Sequence, residues 1–175
     1  MNIRQLQIGY NIDNDRLLVR VNSTDGSEIR FWLTRRLVSR LWPTLLKTSE
    51  AVTLAALGRG ADVMGEARGM MTGMARESAL AQSDFDTPFD SQASKLPLGA
   101  EPLLITRVDL APQDKGSLRI AFRHSEQVGV EMNMNHKVLH AFCNLMQREV
   151  EKADWGFRLD WNQPVEAGAR PATLN

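Results

Sequence analysis

His136, His140 and Cys143 stand at i, i+4 and i+7, so a helix would set them in one stripe. Imidazole and thiolate are metal ligands, and this spacing can offer three of them to one ion. No second cluster accompanies them: His124 is the only other histidine and Cys143 the only cysteine. The His-Glu spacing of zinc proteases is absent. The same residues fit a packed helix flank, with Cys143 as a small apolar side chain. A Cys143–His140 nucleophile pair would still lack an orienting acid and oxyanion donors. The chain has no phosphate loop, no dinucleotide-binding glycine motif and no Gly-x-Ser-x-Gly elbow. Asp84, Asp86 and Asp90 fall in a polar stretch and read as solvated charges rather than as an acid/base pair. These residues assemble no catalytic set and imply no cofactor, so the expectation is a non-enzymatic protein. An enzyme or metal protein built on the His/Cys stripe is the outlying alternative.

Arginines and one tryptophan give a second constellation. If Leu17, Val19, Val21, Ile29, Phe31 and Leu33 face a core, then Arg16, Arg20, Arg30 and Trp32 share the outer face. Arg35, Arg36 and Arg40 extend that patch from the start of the next helix. Arg107, Arg119 and Arg123 hold the corresponding face of a later unit. Such a surface can bind a sugar-phosphate backbone and stack a base. It can equally anchor a protein partner, because Trp and Arg are enriched at interface hot spots. Interleaved Glu28, Asp109 and Glu131 also suit a plain solvated sheet face.

The elements that must position these residues follow from periodicity. Leu6, Ile8, Tyr10 and Ile12 alternate with polar residues, the period of a half-buried strand. Leu17–Val21 and Ile29–Leu33 alternate likewise around an Asp25-Gly26 turn, a hairpin signal. Thr34 is placed to cap a helix carrying Leu37, Val38, Leu41, Leu45 and Leu46. Pro43 inside that stripe predicts a kink or a second start. Residues 101–161 repeat the plan. Strands carry Leu104, Val108 and Leu110, then Leu118, Ile120 and Phe122, then Val128, Val130 and Met132. A helix follows with Val138, Leu139, Phe142, Leu145, Met146 and Val150. The third strands overlay 99 residues apart, from Ile29 to Val128, and the helices 101 apart, from Leu37 to Val138. Phe157, Leu159 and Trp161 suggest a short last strand.

Between the halves, residues 50–82 are rich in Ala, Met and Gly. Gly65, Gly69 and Gly73 form a G-x-x-x-G-x-x-x-G ladder, which suits close helix packing or self-association, or else a loose connector helix. Residues 83–99 read as a flexible acidic linker, and 162–175 as a disordered tail. Asp84, Asp86 and Asp90, interleaved with Phe85 and Phe89, could cover the Arg/Trp patch.

Composition agrees with an ordinary soluble domain of 175 residues, 43% hydrophobic and 24% charged. The zero net charge hides a division: residues 1–60 carry +4, 61–100 carry −3 and 101–175 carry −1. That balance excludes a uniformly basic nucleic-acid module but leaves a local basic surface. A single cysteine excludes a disulfide framework. No signal-peptide h-region opens the chain and no run of about 18 apolar residues occurs, so the expected setting is cytoplasmic, without membrane contact.

Arg30-Phe31-Trp32-Leu33-Thr34-Arg35-Arg36-Leu37, followed by Leu41-Trp42-Pro43, resembles the strand-to-helix junction of a family of uncharacterised bacterial proteins. The likeness covers about fifteen residues and implies a bacterial origin without an activity. The tandem plan is similar in outline to the duplicated single-strand binders of the Whirly and Pur type, whose repeats carry four strands where three are counted here.

The sequence therefore predicts an α+β fold with two β-β-β-α halves, consistent with internal duplication. The halves would share one antiparallel sheet with helices packed on one face. Residues 1–49 form the first half, 50–99 the glycine-rich helix and linker, and 100–161 the second half. The expected function is that of a bacterial binding or adaptor protein, with self-association or a protein partner. Single-stranded nucleic-acid binding is the main alternative.

Overall fold

The computed structural model of the chain describes residues 2–59, 65–92 and 95–161. The first half holds β1 (Ile3–Asn11), β2 (Arg16–Ser23), β3 (Glu28–Thr34) and α1 (Arg35–Ala56). Helix α2 (Gly65–Ala81) and a short β4 (Leu103–Leu104) follow. The second half holds β5 (Arg107–Gln113), β6 (Ser117–Arg123), β7 (Gly129–Asn135) and α3 (His136–Ala153). The fold is α+β, as expected, but it has two sheets where one antiparallel sheet was predicted. Their orders are β1-β2-β3-β4 and β5-β6-β7. The first sheet is mixed, because β4 pairs parallel to β3. The stretch 103–113 starts beside β3 and ends beside β6, so it ties the sheets together. At the crossing, Ile105 N–H donates to the Trp32 carbonyl (3.1 Å) and Thr106 N–H to the Arg123 carbonyl (2.8 Å).

The two halves repeat in register. Val19 pairs with Phe31 as Ile120 pairs with Met132, and Val21 with Ile29 as Phe122 with Val130. The offset is 101 throughout, and it holds for the helix caps: Thr34 Oγ1 accepts from Leu37 N–H as Asn135 Oδ1 does from Val138 N–H. The 99-residue overlay of the third strands is thus corrected. Val128 belongs to the turn and is exposed, and Met134 continues the strand.

Each helix lies chiefly across the other half's sheet: α1 over β5 and β6, α3 over β1. The core is therefore shared. Phe31 of β3 meets Phe122 of β6 with ring centroids 4.6 Å apart, and Phe122 meets Phe142 of α3 at 6.1 Å. The first hairpin of each half docks on the far helix end. Asp15, in the β1–β2 turn, accepts from Trp155 Nε1 (2.6 Å) just past α3. Gly116, its counterpart in the β5–β6 turn, has φ +70°, and a Cβ there would lie 2.4 Å from Ala56 in the last turn of α1. Edge strand β1 is covered too, because its Tyr10 N–H donates to Glu149 Oε2 of α3 (2.9 Å).

Three further expectations change. Pro43 starts no second helix, since α1 is one element from Arg35 to Ala56. The proline sits on the exposed face, where water can satisfy the carbonyl one turn back. Residues 157–161 form no strand. They lie along the helices instead: Trp42 Nε1 donates to the Asp160 carbonyl (3.0 Å) and Trp161 Nε1 to Gln147 Oε1 (2.7 Å). Within the expected linker 83–99, residues 88–91 and Lys95 lie against the first sheet, as the next subsection describes. The 162–175 tail lies outside the described residues.

Helix α2 buries only Ala79. A Cβ at Gly65, Gly69 or Gly73 would meet nothing within 4 Å, so the glycine ladder makes no close helix contact among the described residues. Gly73→Ala should therefore raise unfolding stability by about 1 kcal/mol through helix propensity. Gly116→Ala should lower it by about 2 kcal/mol or more, through positive-φ strain and the Ala56 clash. Urea unfolding of the two variants checks this, and equal effects would contradict the packing described.

Candidate functional site

Alternation along β2 and β3 turns Leu17, Val19, Val21, Ile29, Phe31 and Leu33 into the core. Arg16, Leu18, Arg20, Arg30 and Trp32 then fall on the outer face of the first sheet, all half-buried. Arg20 and Arg30 are cross-strand partners, and so are Leu18 and Trp32. Glu28 joins the arginines. Its side chain is fully buried, with Oε1 2.7 Å from Nε of both Arg20 and Arg30, and Arg30 Nη2 is 3.2 Å from Oε2. Burial pushes this carboxyl up, but the bonds from Arg30 and Arg20 outweigh it and hold it below the usual carboxylate range.

This face is occupied by the chain's own acidic segment. The Arg20 guanidinium lies 4.3 Å from the Phe89 ring centroid, a cation–π contact worth about 0.5–2 kcal/mol. Arg20 Nη2 also donates to Ser91 Oγ (3.2 Å). Arg4 Nη2 meets Asp90 Oδ2 at 2.7 Å and holds that carboxyl below its ordinary value. Two amide side chains hold the main chain. Gln5 Oε1 accepts from Asp90 N–H (3.1 Å), and Gln5 Nε2 donates to the Pro88 carbonyl (3.3 Å). Asn22 Nδ2 donates to the Asp90 carbonyl (2.7 Å). Further along, Glu28 N–H donates to the Lys95 carbonyl (2.9 Å). Residues 88–91 thus lie against β1 and β2, and Lys95 against β3. A cleft of about 270 Å³ remains beside them, lined by Arg4, Asn22, Thr24, Asp90 and Gln92 among others.

The other residues singled out from the sequence are dispersed. Arg35 is exposed at the start of α1, close enough to Asp15 to help lower that carboxyl. Arg36 and Arg40 line a separate cleft of about 250 Å³ with Leu104, Ile105 and Thr106. Arg107, Arg119 and Arg123 sit on the second sheet. Arg123 is engaged by Asp109 (3.3 Å) and Glu131 (2.5 Å), and Arg119 is exposed. Arg107, Arg119 and Arg123 thus lie on a different sheet from Arg16, Arg20 and Arg30. Arg4, Gln5 and Asn22 were not singled out from the sequence. Their signal, a polar residue at each outward position beside the arginines, is shared by most exposed strands.

The His/Cys stripe is placed on α3 but assembles no ligand set; no group of three or more metal-ligating side chains occurs among the described residues. Cys143 is fully buried, which pushes its thiol up and keeps it protonated. His140 is 3% exposed. Thr53 Oγ1 donates to the Ser49 carbonyl (2.7 Å), so it accepts from His140 Nε2 (3.0 Å), which places the imidazole proton on Nε2. Burial, aided by His136 and Arg76, depresses His140 to about 4. The pair can pack but cannot act as a nucleophile and its base at neutral pH. Among the described residues, no helix is long and apolar enough to cross a membrane. Comparison with protein-family models, curated proteins and solved structures finds no match for this chain.

Two outcomes follow. Glu28→Gln leaves Arg20 and Arg30 facing each other without a charge between them, and denaturant unfolding should show a loss of about 3 kcal/mol. His140 has a folded pKa below its unfolded value near 6.5, so the unfolded chain takes up the proton first as pH falls. Stability should then drop by roughly 2 kcal/mol between pH 6.5 and 4.5, a window above the usual carboxylate range. His140→Gln should flatten that part of the pH profile. An unchanged slope would contradict the buried neutral imidazole.

Proposed function

We propose that this chain is a non-enzymatic bacterial binding or adaptor protein that works through the outer face of its first sheet. The observation that carries this is the contact set holding residues 88–91. Gln5 and Asn22 bind carbonyl and N–H groups that every peptide has, while Arg20 and Arg4 bind an aromatic ring and a carboxylate. A surface that binds one extended segment in this way has the chemistry to bind another. Half-buried Leu18, Trp32 and Leu104 continue the face beyond the segment, in one row across β2, β3 and β4. Affinity capture from the native lysate, with and without nuclease, tests the proposal. A protein should be retained after nuclease treatment and lost with Trp32→Ala combined with Leu18→Glu. Capture unaffected by those substitutions would contradict it.

Self-association belongs to the same proposal. Met70 and Met74 stand 68% and 66% exposed on the outward side of α2 and would supply the contact.

Single-stranded nucleic acid is the second reading. What favours it is the geometry around Arg20 and Arg4, where a guanidinium over a ring lies beside an arginine–carboxylate pair. A stacked base and a phosphate would need the same two partners. Under this reading a labelled oligonucleotide binds at low salt with a steep salt dependence, and Trp32→Ala and Arg20→Ala weaken it. Absence of oligonucleotide binding at low salt removes the reading.

A further inference from the structure

We infer that residues 88–91 act as a tethered competitor on this face, which takes extended peptides carrying an aromatic–aspartate pair. The inference rests on the binding-protein reading and names its ligand class.

Every polar anchor of the pair has its own partner. The ring of Phe89 lies under the Arg20 guanidinium, and the Asp90 carboxylate meets Arg4. Between them, Gln5 and Asn22 hold the Pro88 carbonyl and both main-chain groups of Asp90. In extended-peptide recognition, main-chain hydrogen bonds give affinity and side-chain contacts give specificity. Glu28 keeps Arg20 in place from beneath, so the guanidinium is oriented before any ring arrives. The segment itself is held lightly. Arg4 and Asp90 are about half exposed, so their pair is solvent-screened. The residues just before it are held to themselves, since Asp84 accepts from Asp86 N–H (3.1 Å) and Thr87 N–H (3.0 Å), while beyond it Lys95 is tied to β3 by the Glu28 N–H. The chain also carries the pair twice, as Phe85-Asp86 and Phe89-Asp90, with Phe85 and Asp86 at the surface. An exposed copy of the sequence held in the site marks this stretch as a ligand-like motif rather than a filler.

A segment tethered a few residues from its site acts at an effective concentration on the order of millimolar. It therefore excludes weak, untethered ligands and yields to a partner that binds more of the face, including the Leu18–Trp32 row. Nucleic acid would compete for the same arginines, but its sugar-phosphate backbone has no N–H to take the place of the Asp90 amide at Gln5 Oε1. The observations thus favour a peptide.

The test uses the full chain and a fluorescent peptide of residues 87–92, which carries one aromatic–aspartate pair. The opened variant combines Phe85→Ala, Phe89→Ala and Asp90→Asn, none of which contributes to the receptor face. By anisotropy, it should bind the peptide at least tenfold more tightly than the wild type. Adding Arg4→Glu and Gln5→Ala, both at surface positions of β1, should remove that binding while circular dichroism shows the fold intact. A peptide with Phe and Asp replaced by Ala and Asn should not bind. Equal affinity of the wild type and the opened variant would overturn the inference and leave the binding-protein reading standing. Binding of an oligothymidine by the opened variant, without binding of the peptide, would overturn it in favour of nucleic acid. Binding of neither probe would overturn it outright, and the capture experiment on the Leu18–Trp32 row then decides the wider reading separately.

Discussion

Phe31 and Phe122 meet with ring centroids 4.6 Å apart, and that contact joins sheets from opposite halves of the chain. Each half presents three strands with one apolar face and one helix with one apolar stripe, and each helix spends that stripe mainly on the other half's sheet. Fully buried Leu17, Leu33, Leu118 and Met134 belong to the same core cluster as Phe142 and Leu45. Burial of such side chains is worth about 1.5–3 kcal/mol each, so neither half has a complete core without the other. The hairpin turns finish the arrangement. Asp15 reaches the end of α3 and Gly116 the end of α1, at positions 101 residues apart.

Closing both inner faces in this way leaves the outer faces with different fates. On the second sheet, Arg107 and Arg123 are answered locally by Asp109, Glu126 and Glu131. On the first, the one acid between the arginines, Glu28, is buried beneath them, and Arg20 and Asn22 turn further donors to Ser91 and the Asp90 carbonyl. A buried carboxylate with two guanidinium partners is a strong constraint on rotamer and position. It fixes Arg20 where a ring can lie over it. One acid of the −3 stretch, Asp90, thus meets Arg4 of the +4 first 60 residues in space.

Much of the frame was legible in the sequence, because it rests on periods of two and near four. The strands of the first hairpin and α1 fell where alternation and Thr34 put them. What failed did so for identifiable reasons. Val128 looked like a strand position because it continues the alternation of Val130 and Met132, but the pairing of Gly129 with Arg123 ends the ladder there. Phe157, Leu159 and Trp161 alternate because they pack on helices, not because they pair. Pro43 was tolerated because it faces water. The interlocked helices left no local trace, since an apolar stripe does not say which sheet it covers. At the site, Arg20, Arg30 and Trp32 were placed correctly on one face, whereas Gln5 and Asn22 matter only through the segment lying on them. Their partner is more than 60 residues away in sequence.

The central claim is that the outer face of the first sheet holds residues 88–91 through their main chain. Amide hydrogen exchange at Asp90 tests it most directly, since that N–H donates to Gln5 Oε1 and to no backbone group of a helix or ladder. The account predicts exchange at Asp90 markedly slower than at a free peptide amide, with protection lost in Gln5→Ala while the β2–β3 amides stay protected. Exchange of Asp90 at the free-peptide rate in the wild type would contradict it.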